Sequence, residues 1–249
     1  MKTRLDKLLV ARGVIATRER AQAMILAGRV LVNEQKIEKP GAPVSEDAVF
    51  RLLGEDLRYV SRGGLKLEAA LAHWKIDLND RFCLDVGAST GGFTDCMLQH
   101  GARRVLAVDT GYGQIAQKLR SDARVELMER TNARLLQPGG LPAGITFLSM
   151  DVSFISATLV LPSVIPAILS GPSSALEAVV LVKPQFEAGR EHIGKGGIVR
   201  DPAAHQLAIH RVRQCVDELG GEAIEIIDSP ITGAEGNKEF LLHACFANG

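Results

Sequence analysis

Two charged residues stand where apolar stretches of the sequence end. Residues 145–151 and 178–183 predict buried strands, and the strands finish on Asp151 and Lys183. Open α/β sheets place their active sites at the carboxyl ends of such strands. A lysine there needs a partner because an unpaired buried charge is costly, and Asp151 is the obvious candidate. The pair therefore indicates either the centre of an active site or an ion pair at the rim of a sheet.

A glycine-rich segment, residues 84–94 with the letters LDVGASTGGFT, joins a predicted strand to a predicted helix. Glycines let the backbone approach a ligand closely, and a helix N-terminus favours negative groups. The segment is not a GxGxxG fingerprint, and it lacks the Gly-Lys-Ser/Thr of a phosphate-binding loop. About 20 residues later the next strand ends at Asp109, where an acid commonly binds the ribose hydroxyls of a nucleoside. The combination favours a nucleoside-containing cofactor; the alternative is an ordinary strand–helix turn with a capping acid.

Two further segments hold polar residues that could join this site. Residues 62–67 (RGGLKL) supply Lys66, and residues 233–239 (GAEGNKE) supply Glu239 directly before the last predicted strand. On composition alone, the first segment could also be a linker end with a solvated lysine. The second could be a polar hairpin loop.

The elements that must position these residues alternate between strand and helix from residue 61 onward. Apolar runs predict strands at residues 82–86, 105–109, 125–128, 145–151 and 178–183, with helical segments between several of them. That alternation predicts a parallel, doubly wound sheet. A helix begins at Asp201-Pro202 and ends at Gly220. Residues 223–227 and 240–246 then predict an antiparallel pair that closes the sheet.

The first part of the chain has a different character. Residues 1–40 hold nine lysines and arginines against four acids, although the whole chain has zero net charge. Leucine spacing predicts a short first helix, Thr17 is a candidate N-cap for a second helix over residues 18–27, and a hairpin follows. We expect one module over residues 1–60, with a linker at about 54–60, and a second module over residues 61–249.

Composition excludes several classes of protein. The chain has 249 residues, of which 46% are hydrophobic and 23% charged, so it can bury a core and is not wholly disordered. The longest apolar stretch, residues 158–170, is too short to cross a bilayer, and no apolar run follows the N-terminal charges as a secretory signal would require. The four cysteines form no CxxC pair. We therefore predict no metal site and a reducing, cytoplasmic location.

Longer strings in the sequence resemble known families. In the second module these are residues 59–66 (YVSRGGLK), 85–94, 149–156, 183–187 (KPQFE) and 236–239 (GNKE). They are similar to the FtsJ-like class of S-adenosylmethionine-dependent ribose 2′-O-methyltransferases. The first module resembles an S4 RNA-binding domain at Arg4, Leu5, Asp6, Leu8, Leu9, Gly13, Arg18, Ala21, Ile25, Gly28, Val30, Val32 and Asn33. An S4 domain followed by an FtsJ-like domain resembles the TlyA (haemolysin A) family of ribosomal RNA methyltransferases.

This resemblance implies a fold, a cofactor and a site. The implied fold is a Rossmann-like class I methyltransferase domain with a mostly parallel sheet, preceded by a small α+β S4 RNA-binding domain. The family's Lys-Asp-Lys-Glu catalytic tetrad matches Lys66, Asp151, Lys183 and Glu239. S-adenosylmethionine is the implied cofactor. Its methionine part would meet Asp85, Gly87, Ser89, Gly91 and Gly92, its ribose Asp109, and its adenine Glu129 or Asn132.

A physical role can be assigned within the tetrad. A ribose 2′-OH is a poor nucleophile until its proton is removed. A lysine can remove that proton only when burial or a second cation lowers a lysine pKa from about 10.4 toward 7–8. In our interpretation Lys183 is the base and Asp151 positions it, while Lys66 and Glu239 orient the hydroxyl or the second lysine.

RNA recognition is expected from the first module. Its candidate phosphate contacts are Arg4, Lys7, Arg12, Arg18, Arg20 and Arg29. Such contacts position RNA without reading bases and weaken steeply with salt; a solvated helix face is the alternative. The expected partner is ribosomal RNA or a ribosomal subunit, modified at a cytidine, with no membrane and no obligate protein partner. The glycine-rich loop 189–197 is either a lid over the RNA or a loose surface loop.

Three other functions stay open at this stage. A non-catalytic RNA-binding or ribosome-assembly factor would keep the fold but would not need two lysines in one pocket. A membrane-lytic haemolysin would need a spanning segment or a long amphipathic basic helix, and the sequence shows neither. A methyltransferase for proteins or small molecules is disfavoured by the S4 module and by the lysine-centred site.

Overall fold

The structure is a computed structural model that describes residues 2–15, 17–26, 28–53, 58–171, 175–233 and 235–247. The chain divides into two compact units, which we call unit 1 (Met1–Leu57) and unit 2 (Arg58–Gly249). Three parts of the sequence-based predictions lie outside the described residues. They are residues 54–57 of the linker, Ala27 at the end of the second helix, and Ala234 in the polar loop.

Unit 1 is a small α+β body. Its described elements are β1 Lys2–Arg4, α1 Leu5–Ala11, α2 Arg18–Leu26, β2 Val30–Val32, β3 Gln35–Lys36, β4 Pro43–Ser45 and β5 Phe50–Leu52. The predicted cap is present, because Thr17 Oγ1 accepts a hydrogen bond from the backbone N–H of Arg20 at 3.3 Å. Leu5, Leu9 and Ile25 lie on the inward faces of the two helices and form one buried cluster with strand β2.

The strands of unit 1 form two small sheets. β2 lies between β3 and β5, as the predicted hairpin requires, and β1 pairs with β4 in a separate antiparallel ladder. The sequence did not predict β1 or β4. Each has only three residues and no apolar alternation, so its pairing depends on the surrounding fold rather than on local pattern.

Unit 2 contains a seven-stranded sheet in the order β11-β12-β10-β9-β6-β7-β8. Its strands are β6 Phe82–Val86, β7 Arg104–Val108, β8 Val125–Met128, β9 Ile145–Met150, β10 Ala175–Val182, β11 Gly221–Asp228 and β12 Phe240–Ala247. Its helices are α3 Gly63–Trp74, α4 Gly92–Gln99, α5 Gln117–Arg120, α6 Leu161–Leu169, α7 Pro184–Glu187 and α8 Pro202–Glu218. The strands from β10 to β8 are parallel, and β12 runs antiparallel to both of its neighbours.

The predicted fold class is confirmed, with small shifts at the strand ends. Strands β7, β9 and β10 stop one residue before the predicted end, so Asp109, Asp151 and Lys183 lie directly beyond the sheet. Alternate residues of each strand face opposite sides of the sheet. On β6, Leu84 belongs to a buried cluster that includes α6 and α8, and Cys83 to a cluster that includes α3 and α4. Helices therefore cover both faces of the sheet, which leaves its carboxyl edge as the open side.

A helix that crosses a bilayer must be both long and apolar along its whole length. Within the described ranges, none of the helices combines the two properties.

Candidate active site

Strand register brings three of the tetrad positions together. β10 and β12 pair with Val182 opposite Phe240, so the residues just outside that pair, Lys183 and Glu239, leave the sheet side by side. β9 lies on the other side of β10, and its last residue is followed by Asp151. Since β10 and β9 are parallel neighbours, Asp151 and Lys183 emerge at the same edge.

The side chains at the four predicted tetrad positions form two ion pairs. Lys183 Nζ lies 2.5 Å from Asp151 Oδ1, and Lys66 Nζ lies 2.5 Å from Glu239 Oε2. The two lysines expose 7% of their surface each and Glu239 exposes 3%, whereas the Asp151 side chain is 22% exposed. Each buried lysine needs its carboxylate, because an isolated buried charge is strongly destabilising. The structure thus brings Lys66 and Glu239 into contact, a pairing that their sequence separation of 173 residues could not reveal.

Glycines allow the elements around these pairs to approach closely. A Cβ on Gly87, whose φ is +86°, would lie 2.4 Å from the backbone oxygen of Asp151. A Cβ on Gly92 would lie 2.2 Å from Ser61 Oγ and 3.1 Å from the backbone nitrogen of Gly64. The start of α4 therefore packs directly on the start of α3, and this contact places Lys66 beside the glycine-rich turn.

A cleft of about 270 Å³ opens over this turn. Its walls include Lys66, Asp151, Lys183, Gly87, Ser89 and Gly92, together with Ser61, Arg62, Gly63, Ala88, Thr90, Phe93, Ser153, Ile231 and Thr232. A smaller depression next to it is lined by Asp109 and Glu129 among others. The Asp109 carboxylate accepts the backbone N–H groups of Ser89 at 2.8 Å and of Gly111 at 2.6 Å, so it is fixed at the end of β7. Arg120 pairs with Glu129 and lowers the pKa of its carboxyl.

Three of the predicted cofactor residues line neither the cleft nor the depression beside it. Asp85 is fully buried beneath the turn, where its carboxylate accepts hydrogen bonds from Thr94 Oγ1 at 2.6 Å and Ser149 Oγ at 3.3 Å. Burial raises the pKa of Asp85 to about 7. Asn132 caps a short 3-10 turn by accepting the N–H of Arg134, and Gly91 faces the side chains of Ile115 and Leu119. If these residues contribute to ligand binding, they do so through their backbone atoms or through the neighbouring groups that they hold in place.

The predicted RNA-contacting residues of unit 1 fall into two groups. Arg4 and Arg18 each form a 3.0 Å ion pair with the buried carboxylate of Asp6, whose pKa these partners hold far below its usual range. Arg12 donates to the backbone oxygen of Ala48 at 2.5 Å. Lys7 is exposed, and Arg20 and Arg29 are half-buried. Asp6 therefore orients two of the six cations, and the others do not share this anchor.

Sequence reasoning missed one residue on the wall of the cleft, Ser153, and two aromatic residues near it, Phe154 and Phe186. Lys183 Nζ donates to Ser153 Oγ at 2.8 Å, so the lysine has a second partner besides Asp151. The next residue, Phe154, is 92% exposed and adopts φ +64°, a left-handed conformation that is strained for a bulky side chain. Its ring lies 5.5 Å from that of Phe186. The strings SFIS and KPQFE placed these residues near the site, but nothing in them shows an outward-facing ring.

One group of possible metal ligands lies at the other end of β10. Atoms of Glu177, His243 and Cys245 lie within 4.8 Å of one another. However, His243 Nε2 approaches one Glu177 oxygen at 2.9 Å, and Arg81 pairs with the other at 2.5 Å. An adjacent guanidinium opposes a bound cation, so these contacts describe a hydrogen-bonded ion-pair network rather than a metal centre.

The parallel sheet, the glycine-rich turn and the acid at the end of the next strand define an S-adenosylmethionine-dependent methyltransferase of the Rossmann-like type. The model of the family described as "FtsJ-like methyltransferase" matches residues 59–246, and that of the "S4 domain" matches residues 3–50. The chain belongs to the FtsJ-like methyltransferases, in the TlyA group that carries an S4 domain at the N-terminus. S-adenosylmethionine is its cofactor.

Individual relatives agree with this placement. A Bacillus subtilis protein provisionally named rRNA methyltransferase YqxC is 49% identical over 97% of this chain and 85% of its own length. The 16S/23S rRNA (cytidine-2′-O)-methyltransferase TlyA of Mycobacterium tuberculosis is 40% identical over 97% of this chain and 89% of its own. A solved Streptococcus thermophilus structure, provisionally described as a hemolysin, superposes with a TM-score of 0.75 at 43% identity and covers 100% of this chain and 90% of its own.

The site fits this cofactor on its own geometry. Gly87, Ser89 and Gly92 of the glycine-rich turn line the cleft, and the Asp109 carboxylate lies at the position that commonly binds a ribose diol. The cleft and the depression beside it share Ala88 and Ser89, so one ligand can extend from the lysines to Asp109.

Proposed function

We propose that this protein transfers a methyl group from S-adenosylmethionine to a ribose 2′-hydroxyl of ribosomal RNA, at a cytidine. The observation that carries the proposal is the pair of lysine–carboxylate contacts, Lys183–Asp151 and Lys66–Glu239, which hold both lysines on the wall of the cleft at the glycine-rich turn. The printed name of the Mycobacterium tuberculosis relative supports the substrate. Ribosomes are assembled in the cytoplasm, so the proposal implies a cytoplasmic protein.

The tetrad would act on the substrate hydroxyl. Bound S-adenosylmethionine supplies an electrophilic methyl group on its sulfonium. Transfer of that methyl group to the 2′-oxygen would release the cofactor as its thioether, and Lys183 Nζ, entering the step as a neutral amine, would accept the hydroxyl proton. Asp151 and Ser153 hold Lys183 in place, with contacts at 2.5 and 2.8 Å. Lys66, fixed by Glu239, lines the same cleft and would hold the hydroxyl in line with the methyl group.

Unit 1 would supply affinity for the RNA. Lys7 is exposed and can contact phosphates, and Arg4 and Arg18 are held in a fixed arrangement by Asp6. Phosphate contacts give register without reading sequence, so the choice of nucleotide belongs to unit 2. Phe154, which is exposed and follows Ser153 in the chain, would offer its ring to a base, since every base has a face for aromatic contact.

The test is tritium transfer from labelled S-adenosylmethionine to ribosomal subunits that lack the modification. Wild type and Lys183→Ala are compared, with Lys238→Ala as a matched control, because Lys238 pairs with the exposed Asp228 and does not line the cleft. We expect label in RNA from wild type and from the control, and none from Lys183→Ala, while all three bind S-adenosylmethionine. Nuclease mapping then identifies the nucleotide.

Other outcomes identify the competing functions. Cofactor binding without labelled RNA, protein or small molecule would support a non-catalytic assembly factor. Label in ribosomal protein would indicate that the substrate is a protein and not RNA. Leakage of liposomes by the purified protein, at the same level in wild type and Lys183→Ala, would support a lytic activity independent of this site.

A further inference from the structure

Glu187 is a buried acid that lies close to the cleft but is not one of its wall residues. It ends the short helix α7, four residues after Lys183, and only 5% of its surface is exposed. Its carboxylate does not point toward Lys183. It crosses instead to the segment that follows β9, where Oε1 accepts the N–H of Ala157 at 2.7 Å and Oε2 accepts the hydroxyl of Ser156.

These contacts connect the two chain segments that carry the Lys183–Asp151 pair. Asp151 and Ser153 lie in the segment between β9 and Ala157, and Lys183 lies in the segment between β10 and Glu187. The backbone oxygen of Glu187 also accepts a 2.6 Å hydrogen bond from Arg211 Nη1 of α8. The backbone of Glu187 is therefore fixed to α8, and its carboxylate holds the segment that follows β9.

The segment between β9 and Ala157 contains a residue in a strained backbone conformation. Phe154 lies in its middle with φ +64°, a conformation that a bulky residue keeps only when surrounding contacts impose it. Its ring is almost fully exposed and has the ring of Phe186 as a neighbour at 5.5 Å. The side chain of Phe154 thus contributes little burial to the segment. The hydrogen bonds at Ser156 and Ala157 lie two and three residues further along and supply the constraint that is missing.

We propose that Glu187 is a positioning residue of the methyltransferase site. Its carboxylate clamps residues 151–157 to the segment that carries Lys183, so that Asp151 and Ser153 stay aligned with the lysine and Phe154 keeps its exposed position next to Phe186. The proposal rests on the proposed function for its kinetic consequences. The clamp itself is a property of the folded protein and can be measured without turnover.

The kinetic test compares Glu187→Ala and Glu187→Gln with wild type in the full chain. Misplacement of reacting groups by about 1 Å costs about 100-fold in rate, so we expect kcat to fall between about 10- and 100-fold in Glu187→Ala. The Kd for S-adenosylmethionine and the KM for RNA should stay within about 3-fold, because the glycine-rich turn and unit 1 are untouched. Glu187→Gln keeps one acceptor oxygen and should recover part of the lost kcat.

A matched control separates positioning from general loss of stability. Glu177→Gln alters a half-buried carboxylate at the opposite end of β10, where it contacts Arg81 and His243. We expect this variant to change the melting temperature but not kcat, when both are assayed well below that temperature. Full kcat in folded Glu187→Ala, or an equal loss in Glu177→Gln, would overturn the proposal.

Hydrogen exchange gives the readout that is independent of activity. Amide exchange in a peptide covering residues 151–160 should accelerate at least about 10-fold in Glu187→Ala and stay unchanged in Glu177→Gln. If wild type transfers no methyl group to RNA, the proposed function fails and exchange alone decides the clamp. Unchanged exchange in that peptide refutes it in either case.

Discussion

The Lys66–Glu239 pair allows its structural and chemical roles to be separated by a double-mutant cycle. Lys66→Met removes the cation and leaves Glu239, which is 3% exposed, without a partner. Glu239→Leu leaves Lys66, which lines the cleft and can reach its water. Breaking a buried ion pair costs about 3–5 kcal/mol. We therefore expect a loss near about 5 kcal/mol for Lys66→Met and near about 3 kcal/mol for Glu239→Leu.

The double variant reverses this loss. Replacing both partners by apolar residues of similar volume leaves no buried charge, and such exchanges are often close to neutral. We expect Lys66→Met/Glu239→Leu to unfold within about 1 kcal/mol of wild type, more stable than either single variant. Methyl transfer should nevertheless be absent from the double variant, because it lacks the Lys66 ammonium that would hold the substrate hydroxyl.

Trp74 provides the assay. It is the only tryptophan of the chain, it lies on α3 with Lys66, and it stacks on His243 at 5.0 Å. Its fluorescence in a urea titration therefore follows unit 2 alone, which avoids the mixed transition that a two-unit chain would otherwise give. The reasoning is refuted if both single variants lie within about 1 kcal/mol of wild type, or if the double variant loses the sum of the two single losses.

Three further predictions follow from other contacts. Phe154→Ala should lower kcat/KM for RNA about 10-fold or more, since base stacking on an aromatic ring contributes about 1–3 kcal/mol, while calorimetry shows unchanged S-adenosylmethionine binding; an unaltered kcat/KM would contradict a stacking role. Burial raises the pKa of Asp85 to about 7, against about 3.9 in an unfolded chain, so the folded protein retains a proton that the unfolded chain loses. The free energy of unfolding of wild type should therefore fall as pH rises from about 4 to about 7, whereas that of Asp85→Asn should not. If the two proteins show parallel curves of unfolding free energy over that range, the prediction is wrong. Lys7→Ala should weaken RNA binding equally for all sequences and reduce the slope of log K against log salt by about one; a sequence-dependent loss in filter binding would argue for base contact instead.

Much of the fold could be predicted from the sequence because its strands are short apolar runs with clear ends. The runs that finish near Asp109, Asp151 and Lys183 mark the open edge of the sheet through local pattern alone. The antiparallel pair of β11 and β12 was also predictable, since no helical stretch separates the two. The positions of β1 and β4 were not, because three-residue strands without alternation contain no local pattern.

The residue types of the candidate site could be predicted from the sequence, but the directions in which its side chains point could not. Asp85 was expected at the ligand, yet its side chain lies beneath the glycine-rich turn and faces Thr94. Phe154 has the sequence properties of a core residue and is exposed instead. Arg4 and Arg18 share Asp6, a contact set by the packing of α1 and α2. Each of these outcomes depends on backbone dihedrals and distant neighbours, which a one-dimensional pattern does not contain.

The position of β12 has a consequence for synthesis on the ribosome. It is the last strand of the described chain, yet it lies inside the sheet, between β10 and β11. While the nascent chain emerges, β11 has no strand to join, and the edge of β10 that β12 later covers stays open to other chains. Glu239 directly precedes β12, so Lys66 gains its carboxylate partner only when β12 joins the sheet. Closing the sheet and forming the Lys66–Glu239 contact are therefore one event, and a chain that still lacks β12 is prone to aggregate and lacks one ion pair of the candidate site.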